Sequence, residues 1–291
     1  MANPVRRLAA MPVAVLCVLA VCTVAVPTAG AATQNNCGGT LIAKPGGGYW
    51  QCTWDDEFTG SKLDTTKWTV QTGPTGGPAC FVDSPRNVYV GNGSLHLVTR
   101  KTTSEFYCGN ATGGFVTQYS AGEVFSGGSF SQLYGRFEFR AAFPAAEVAG
   151  LQEALWLWPN DDLKYGPWPM SGEIDVAEVA SRYPGRSVPY IHYLSGTDMN
   201  VTNDFCMIKN INYMHRYTLE WTPTTMTISY DGNVCISDVY NPDYPATSSA
   251  PFDQPFFIAM TQALGVAPNA FIPGKTPLPG TTRIDYVRVW K

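Results

Sequence analysis

Apolar and polar residues alternate in short runs along most of the chain, and few segments show the spacing of an amphipathic helix. Strand-like runs cover residues 87–90, 94–100, 133–139, 190–193, 217–222, 226–230, 255–261 and 282–290. Turn residues separate them, as in Val90-Gly-Asn-Gly-Ser94 and Tyr230-Asp-Gly-Asn233. Many short strands at this spacing predict an all-β sandwich.

One predicted strand is unusually acidic. Residues 171–178 read Ser-Gly-Glu-Ile-Asp-Val-Ala-Glu. Side chains of a regular strand alternate between its faces, so Glu173 and Asp175 would point one way and Glu178 the other. Five residues at about 3.3 Å each would also leave the Glu173 and Glu178 carboxyl groups roughly 8 Å apart. A regular strand therefore cannot bring the three acids together.

A β-bulge at Val176–Ala177 would remove both obstacles. One extra residue brings Glu178 to the face of Glu173 and Asp175 and reduces the carboxyl gap to roughly 5 Å. Retaining glycosidases hold two carboxyl groups about 5–5.5 Å apart, and inverting ones hold them about 6.5–9.5 Å apart. The spacing predicts retaining glycoside hydrolysis if the strand is bulged. Otherwise, the acids form the solvent-facing side of an ordinary strand.

The predicted cluster gives each acid a role. Glu173 would be the ionised nucleophile. Glu178 would be protonated at rest, because nearby negative charge raises its pKa, and would act as general acid and then base. Asp175 would orient the nucleophile and help hold the shared charge.

Tryptophan is frequent on both sides of the loop that precedes the acids, in Leu155-Trp-Leu-Trp158 and Trp168-Pro-Met-Ser171. An indole ring can pack on the apolar face of a sugar, but tryptophan in a sandwich commonly fills the core. Both interpretations stay open for Trp156, Trp158 and Trp168.

The N-terminus has the order of a secretory signal peptide: Arg6 and Arg7, an apolar run from Leu8 to Val26, and small residues at 29–32. A retained membrane anchor is the alternative, because a transmembrane helix needs ~20 apolar residues. The small-residue site favours cleavage. We therefore expect a signal peptide over 1–31, a single catalytic domain over 32–291, secretion, and no membrane contact after cleavage.

Charge and cysteine content narrow the class further. The chain carries a formal charge of −4, and loss of Arg6 and Arg7 would make it −6. Without a basic stripe, we expect no nucleic-acid partner, and we expect a monomer. The cysteines beyond the signal are Cys37, Cys52, Cys80, Cys108, Cys206 and Cys235. An even number in an exported chain indicates disulfides, and metal binding is disfavoured because no C-x-x-C spacing occurs. Of the fifteen pairings that six cysteines allow, we expect nearest neighbours: 37–52, 80–108 and 206–235.

Several stretches match, in order, the motifs of a known enzyme family. They are Trp54-Asp-Asp-Glu-Phe58 with Leu63-Asp64 and Trp68, Asn87 through Gly93-Ser-Leu95, Tyr134-Gly-Arg-Phe-Glu-Phe-Arg140, Trp168-Pro-Met-Ser-Gly-Glu-Ile-Asp-Val-Ala-Glu178, Glu220-Trp-Thr222 and Asp285-Tyr-Val-Arg-Val289. Together they resemble glycoside hydrolase family 16, particularly its laminarinase-like endo-β-1,3-glucanases. The acidic motif has the family's bulged form, with two residues before the last Glu.

The resemblance implies a jelly-roll sandwich of two curved antiparallel sheets with a substrate cleft on the concave side. It implies β-1,3-glucan as substrate, retention through Glu173, Asp175 and Glu178, and no cofactor for catalysis. Family members often hold a structural cation, commonly calcium, on the convex face. The matching positions are Glu57, the backbone near Gly93, and Asp285. Oxygen ligands suit calcium, but buried structural acids explain these residues equally well.

Substrate contacts are also inferred from the resemblance. His192 lies where many relatives carry a His near the nucleophile, and Asn87, Arg140 and Gln262 are expected to contact sugar hydroxyls, beside Trp156 and Trp168.

Two stretches depart from the family pattern. Gln152 replaces the first Trp of the usual Gly-x-Trp-Pro-Ala-Phe-Trp, and Thr261-Gln-Ala-Leu-Gly-Val266 replaces Asn-x-Ala-x-Gly-Gly. Both stretches border the cleft in the family, so the preferred linkage stays open. Mixed-linkage β-glucan and a galactan such as agar are alternative substrates. A non-catalytic glucan-binding lectin is disfavoured, because all three acids are present.

Overall fold

A computed structural model describes residues 37–39, 41–111, 113–196 and 198–291. The expected signal peptide, residues 1–31, lies outside these described residues. Within the described part of the chain, no helix has the length and apolar character that crossing a membrane requires.

The described residues form one short 3-10 turn, Cys37–Gly39, and seventeen strands. The strands are β1 (Cys52–Asp56), β2 (Thr69–Val70), β3 (Gly73–Pro74), β4 (Cys80–Phe81), β5 (Val88–Gly91), β6 (Ser94–Asn110), β7 (Gly113–Phe125), β8 (Gly135–Ala142), β9 (Leu151–Pro159), β10 (Glu173–Ala180), β11 (Val188–Ser195), β12 (Asp198–Thr202), β13 (His215–Trp221), β14 (Thr225–Tyr230), β15 (Asn233–Val239), β16 (Phe256–Leu264) and β17 (Gly280–Trp290).

All of these strands except β3 and β4 form two antiparallel sheets around a shared apolar core, and the short β3–β4 pair joins β7 through a parallel pairing of β4. The first, here called the cleft sheet, has the order β2–β7–β16–β9–β10–β11–β12. The second, here called the outer sheet, has the order β6–β17–β8–β13–β14–β15, with β5 beside β6 and β1 beside the end of β17. The β6–β7 hairpin joins the sheets. The predicted all-β jelly-roll sandwich is confirmed.

Alternating side chains account for this architecture. Phe137 and Phe139 of β8 and Ile174 and Val179 of β10 point into the core, while the polar residues between them point away from it. Each fully buried large apolar side chain contributes about 1.5–3 kcal/mol. The core therefore fixes which face of β10 is left for the acids.

Two tight hairpins carry the turn chemistry that the sequence indicates. Asn92 and Gly93 have φ angles of 52° and 70° between β5 and β6, and Asp231 and Gly232 have φ angles of 49° and 83° between β14 and β15. Positive φ at both central residues is typical of two-residue turns rich in Asn-Gly and Asp-Gly.

All three expected disulfides are present. Cys37–Cys52 ties the 3-10 turn to β1, Cys80–Cys108 ties β4 to β6, and Cys206–Cys235 ties the loop after β12 to β15. The nearest-neighbour pairing is confirmed.

Candidate active site

Strand β10 is bulged where the spacing of its acids predicts. The residues of β9 opposite Asp175 and Ala177 are adjacent in sequence, so Val176 is an extra residue. Val176 and Ala177 both point into the core, whereas Glu178 lines the same cavity as Glu173 and Asp175. The three carboxyl groups therefore share one face, which confirms the bulge prediction.

A tyrosine of the outer sheet pairs with the bulged backbone. The Tyr230 hydroxyl donates a buried hydrogen bond of 2.9 Å to the carbonyl oxygen of Val176. A bulge leaves its extra residue outside the regular ladder, and a buried unpaired carbonyl costs about 1–3 kcal/mol. Tyr230 therefore stabilises the distortion that aligns the acids. Sequence analysis missed this residue.

The acids line a cavity of about 600 Å³ on the cleft sheet. Strands β7, β16, β9 and β10 form its floor, and residues of the 74–76 and 264–269 segments lie along its wall. Further lining side chains come from the β10–β11 connection, β11 and the segment after β12: Tyr183, Arg186, Val188, Tyr190 and Asp204.

Glu173 has one aromatic hydrogen-bond donor and a second aromatic ring nearby. The Trp168 indole Nε1 donates a hydrogen bond of 2.7 Å to Glu173 Oε2, and His192 Nε2 lies 4.0 Å from the same oxygen. Burial, and then repulsion from Asp175, raises the pKa of Glu173 to about 8, although His192 and Trp168 act in the opposite direction. Glu173 is thus a half-buried acid, with one hydrogen-bond donor and one nearby imidazole placed to favour its charge.

Asp175 follows Glu173 by two residues on β10 and lines the same cavity. Its Oδ2 is 3.0 Å from His192 Nε2, and the His192 ring stacks on Tyr190 with centroids 5.3 Å apart. Burial and the charge of Glu178 raise the pKa of Asp175 well above its usual value. A stacked imidazole with little freedom therefore fixes the position of Asp175.

Glu178 receives a long hydrogen bond of 3.3 Å from Gln152 Nε2 to its Oε1. Burial raises the pKa of Glu178, while His192 and the Gln152 amide oppose the shift. Glu178 therefore accepts one long hydrogen bond, whereas Glu173 accepts a short one.

The raised pKa values change the expected resting state. Sequence analysis placed the proton on Glu178 alone, but burial raises the pKa of all three acids, so they share protons near neutral pH. The shorter hydrogen bond from Trp168 favours charge on Glu173, which leaves Glu178 as the better site for the shared proton.

Three predicted substrate-contact residues lie beside the acids. Trp156 lines the cavity, Trp168 is 49% exposed and bonded to Glu173, and His192 contacts Asp175. Their contact with sugar stays a prediction.

The other three predicted substrate-contact residues, Asn87, Gln262 and Arg140, do not line the cavity. The Asn87 amide is buried and donates to the Val98 carbonyl and the Ser120 hydroxyl. Gln262 is fully buried on the core side of β16. Arg140 lies on the outer sheet. We therefore correct their assignment: Asn87, Gln262 and Arg140 have structural roles, because alternation or sheet membership directs each away from the cavity.

A hydrogen-bonded row across the cleft floor was not predicted. Trp156 Nε1 donates to Thr261 Oγ1 at 2.9 Å, and Thr261 Oγ1 donates to Glu123 Oε2 at 2.6 Å. Burial raises the pKa of Glu123 to about 7. The alternation of β16 could have indicated Thr261, since Gln262 next to it points into the core.

The expected calcium ligands already have cationic partners. The Glu57 carboxylate accepts two hydrogen bonds from Arg288, at 2.7 and 2.8 Å, and the Asp285 carboxylate accepts one from Arg140. Gly93 is a turn residue. Because both carboxylates are neutralised by guanidinium groups, these residues do not fit a calcium site, and we correct that expectation.

Other groups that could converge on a metal are few in the described part of the chain. Ligand atoms of Glu173, Asp175 and His192 lie within 4.8 Å of one another, as do those of Cys37, Cys52 and Asp55. The first group is the acid cluster itself, and the two cysteines of the second form a disulfide.

Comparison with known sequences gives consistent results. The profile described as Glycosyl hydrolases family 16 matches residues 80–287. Glucan endo-1,3-beta-glucosidase A1 of Niallia circulans is 33% identical over 263 residues, covering 82% of this chain and 37% of that protein. Keratan-sulfate endo-1,4-beta-galactosidase of Sphingobacterium multivorum is 30% identical over 249 residues, covering 83% of this chain and 55% of that protein. The chain thus spans well under two thirds of either relative.

Among solved structures, the laminarinase from Rhodothermus marinus aligns with a TM-score of 0.72 and 26% sequence identity. The alignment covers 83% of this chain and 97% of that one.

Proposed function

Because the chain belongs to glycoside hydrolase family 16, we propose that it is a secreted, retaining endo-glycosidase that cuts β-1,3-glucan. One observation carries the proposal: a single bulge turns Glu173, Asp175 and Glu178 toward one cavity. Two carboxyl groups on one face are the minimum that double displacement requires.

In the first step, the Glu173 carboxylate attacks the anomeric carbon while Glu178 gives its proton to the departing glycosidic oxygen. The sugar is then bonded to Glu173 as an ester. The Trp168 indole, which donates a hydrogen bond of 2.7 Å to Glu173 Oε2, holds the attacking carboxylate in place.

In the second step, Glu178 removes a proton from water, and the resulting oxygen attacks the anomeric carbon and releases Glu173. Two inversions give net retention. Asp175 lies 3.0 Å from His192 and keeps that ring oriented toward Glu173 through both steps.

The proposed substrate follows the printed activities of the relatives, a glucan endo-1,3-beta-glucosidase and a laminarinase. Aromatic side chains on the floor and rim, Trp156 and Trp168, suit the apolar faces of glucose rings. A galactan is the second candidate, since another relative is a keratan-sulfate endo-1,4-beta-galactosidase.

Export is supported by the three disulfides, because such bonds form and persist in oxidising compartments. The proposed leader over residues 1–31 would direct that export, and the mature protein would act as a monomer that needs no cofactor for catalysis.

Incubation with laminarin, lichenan and agarose tests the proposal. We expect laminarin to be shortened at internal bonds, so that viscosity falls before monosaccharide accumulates. Preferential cutting of agarose would show that the substrate is a galactan and not a glucan. Binding of laminarin without cutting would show that the protein is a glucan-binding lectin and not an enzyme.

A further inference from the structure

Gln152 stands out among the residues around Glu178. It projects from β9 into the cavity, and its Nε2 lies 3.3 Å from Glu178 Oε1. Sequence analysis identified it only as a departure from a family pattern that has Trp there. The structure gives the glutamine a contact with the proposed acid/base.

Asn269 fixes which way the Gln152 amide points. Asn269 Oδ1 accepts hydrogen bonds from the backbone N–H groups of Gly150 and Arg182, and its Nδ2 donates to the Leu151 carbonyl at 2.7 Å. These three bonds leave only one orientation for the Asn269 amide.

The orientation of Asn269 then determines that of Gln152. Asn269 Nδ2 also donates to Gln152 Oε1 at 3.3 Å, so the oxygen of Gln152 faces Asn269 and its NH₂ group faces Glu178. With only 3% of its surface exposed, Asn269 has little freedom. Gln152 is therefore held as a donor toward Glu178.

We propose that Gln152, clamped by Asn269, is a positioning residue that aims the Glu178 carboxyl and stabilises its ionised form. This inference rests on the proposed function, in which Glu178 alternates between acid and base. A donor to the carboxylate favours the charged form, which Glu178 must adopt after it protonates the leaving group and before it activates water.

Other charged or titratable groups also face Glu178, from β10, from β11 and from the segments that border the cavity. They are Glu173, Asp175, Tyr183, Tyr190, His192, Arg186 and Asp204, together with Glu123 of β7 on the cavity floor. No titratable side chain of β9 lines the cavity, where its residues are Gln152, Ala154 and Trp156. A change at Gln152 alone therefore isolates the contribution of β9.

The direct test is the titration of Glu178 in the substrate-free protein. Carbon-13 labelled glutamate carboxyls are followed by NMR against pH, and the Glu178 signal is identified by its loss in Glu178→Gln. Gln152→Met keeps the side-chain length but removes the donor, so the pKa of Glu178 should rise by about 0.5–1 unit. Gln118→Met, on the β6–β7 hairpin away from the cavity, is the matched control and should leave it unchanged.

A second variant keeps the test possible if Gln152→Met does not fold. Gln152→Glu keeps the side-chain size and an oxygen for Asn269, but places a second acid beside Glu178, so the pKa of Glu178 should rise by more than in Gln152→Met. An unchanged pKa of Glu178 in the folded variants would overturn the inference.

Kinetics then separates this inference from the proposed function. If laminarin is cut, the alkaline limb of kcat/KM should move upward in Gln152→Met with the NMR titration, because Glu178 keeps its proton to higher pH. A rise in the NMR pKa without hydrolysis of any β-glucan by the unsubstituted protein would support Gln152 and reject the proposed function. Hydrolysis of laminarin with an alkaline limb that does not move in Gln152→Met would support the proposed function and reject the role of Gln152.

Discussion

Acids on the two sides of the sandwich have different partners. On the outer sheet, Arg136 contacts the buried Glu138 at 2.7 Å, and Arg288 of β17 holds the partly exposed Glu57, which follows β1. On the cleft sheet, the ion pairs of the acid cluster in the described residues involve only His192, with Glu173 and Asp175.

The difference shows how one residue type serves structure or chemistry. A carboxylate paired with arginine stabilises the fold through a charge-assisted hydrogen bond. A buried carboxyl without such a partner has a raised pKa and can exchange a proton near neutral pH. Burial without an arginine partner therefore distinguishes the acids of the cleft sheet from those of the outer sheet.

The sharpest contrast between the sheets is expected from paired Glu→Gln substitutions. Glu173→Gln should lower kcat by about 10³-fold or more, because the amide cannot act as nucleophile. Its melting temperature should stay the same or rise, since repulsion with Asp175 is removed. Glu57→Gln, the control on the outer sheet, should keep kcat and lose stability. Full activity of Glu173→Gln would remove the nucleophile assignment.

A substitution between the sheets tests whether the bulge aligns the acids. Tyr230→Phe removes the hydrogen bond to the Val176 carbonyl, and we expect a loss of about 1–3 kcal/mol in the free energy of unfolding. A shift of the acids of up to about 1 Å could lower kcat by roughly 10²-fold.

The control is Tyr217→Phe. The buried Tyr217 hydroxyl has no hydrogen-bond partner among the described residues, so its removal should not affect kcat. Equal effects of the two substitutions on kcat would contradict a specific role for Tyr230.

The pH dependence of kcat/KM tests whether the pKa of Glu173 on the cleft sheet is raised. Glu173 must lose its proton to attack, and burial raises its pKa to about 8. The acidic limb of kcat/KM should therefore lie near neutral pH, with activity falling as the pH drops through it. A limb near pH 4.3, about the value of an exposed glutamate, would show that the cluster is not desolvated.

The smallest effect is expected on the outer sheet. Arg288→Ala removes both hydrogen bonds to Glu57, and we expect a loss of about 1–2 kcal/mol in unfolding free energy because the pair is partly exposed. The kcat/KM per folded molecule should not change. EDTA should leave the melting temperature of the unsubstituted protein unchanged. A clear drop in that temperature would show that the protein does bind a structural cation.

Sequence reasoning succeeded where local spacing determined the geometry. Glu173 and Glu178 could act together only on a bulged strand, and β10 has that bulge. The disulfides followed from nearest neighbours in the sequence.

Reasoning failed where the outcome depended on which face of which sheet a residue occupies. Thr261 and Gln262 are adjacent, yet only Thr261 reaches the cavity, because a shift of one residue reverses the face. Arg140 alternates like a cleft residue, but β8 belongs to the outer sheet.

Contacts between distant segments could not be foreseen at all. Tyr230 is 54 residues from Val176, and Asn269 is 117 residues from Gln152. No local pattern marks either pair, since each depends on how the chain packs.

The anomeric configuration of the first product tests the central claim, that the bulge sets Glu173 and Glu178 for double displacement. Hydrolysis of laminarin is followed by proton NMR from the first minutes, before mutarotation mixes the anomers. The carboxyl gap of roughly 5 Å expected for a bulged strand predicts that the β-anomer appears first and the α-anomer follows by mutarotation. Initial release of the α-anomer would contradict retention, and with it the roles assigned to both glutamates.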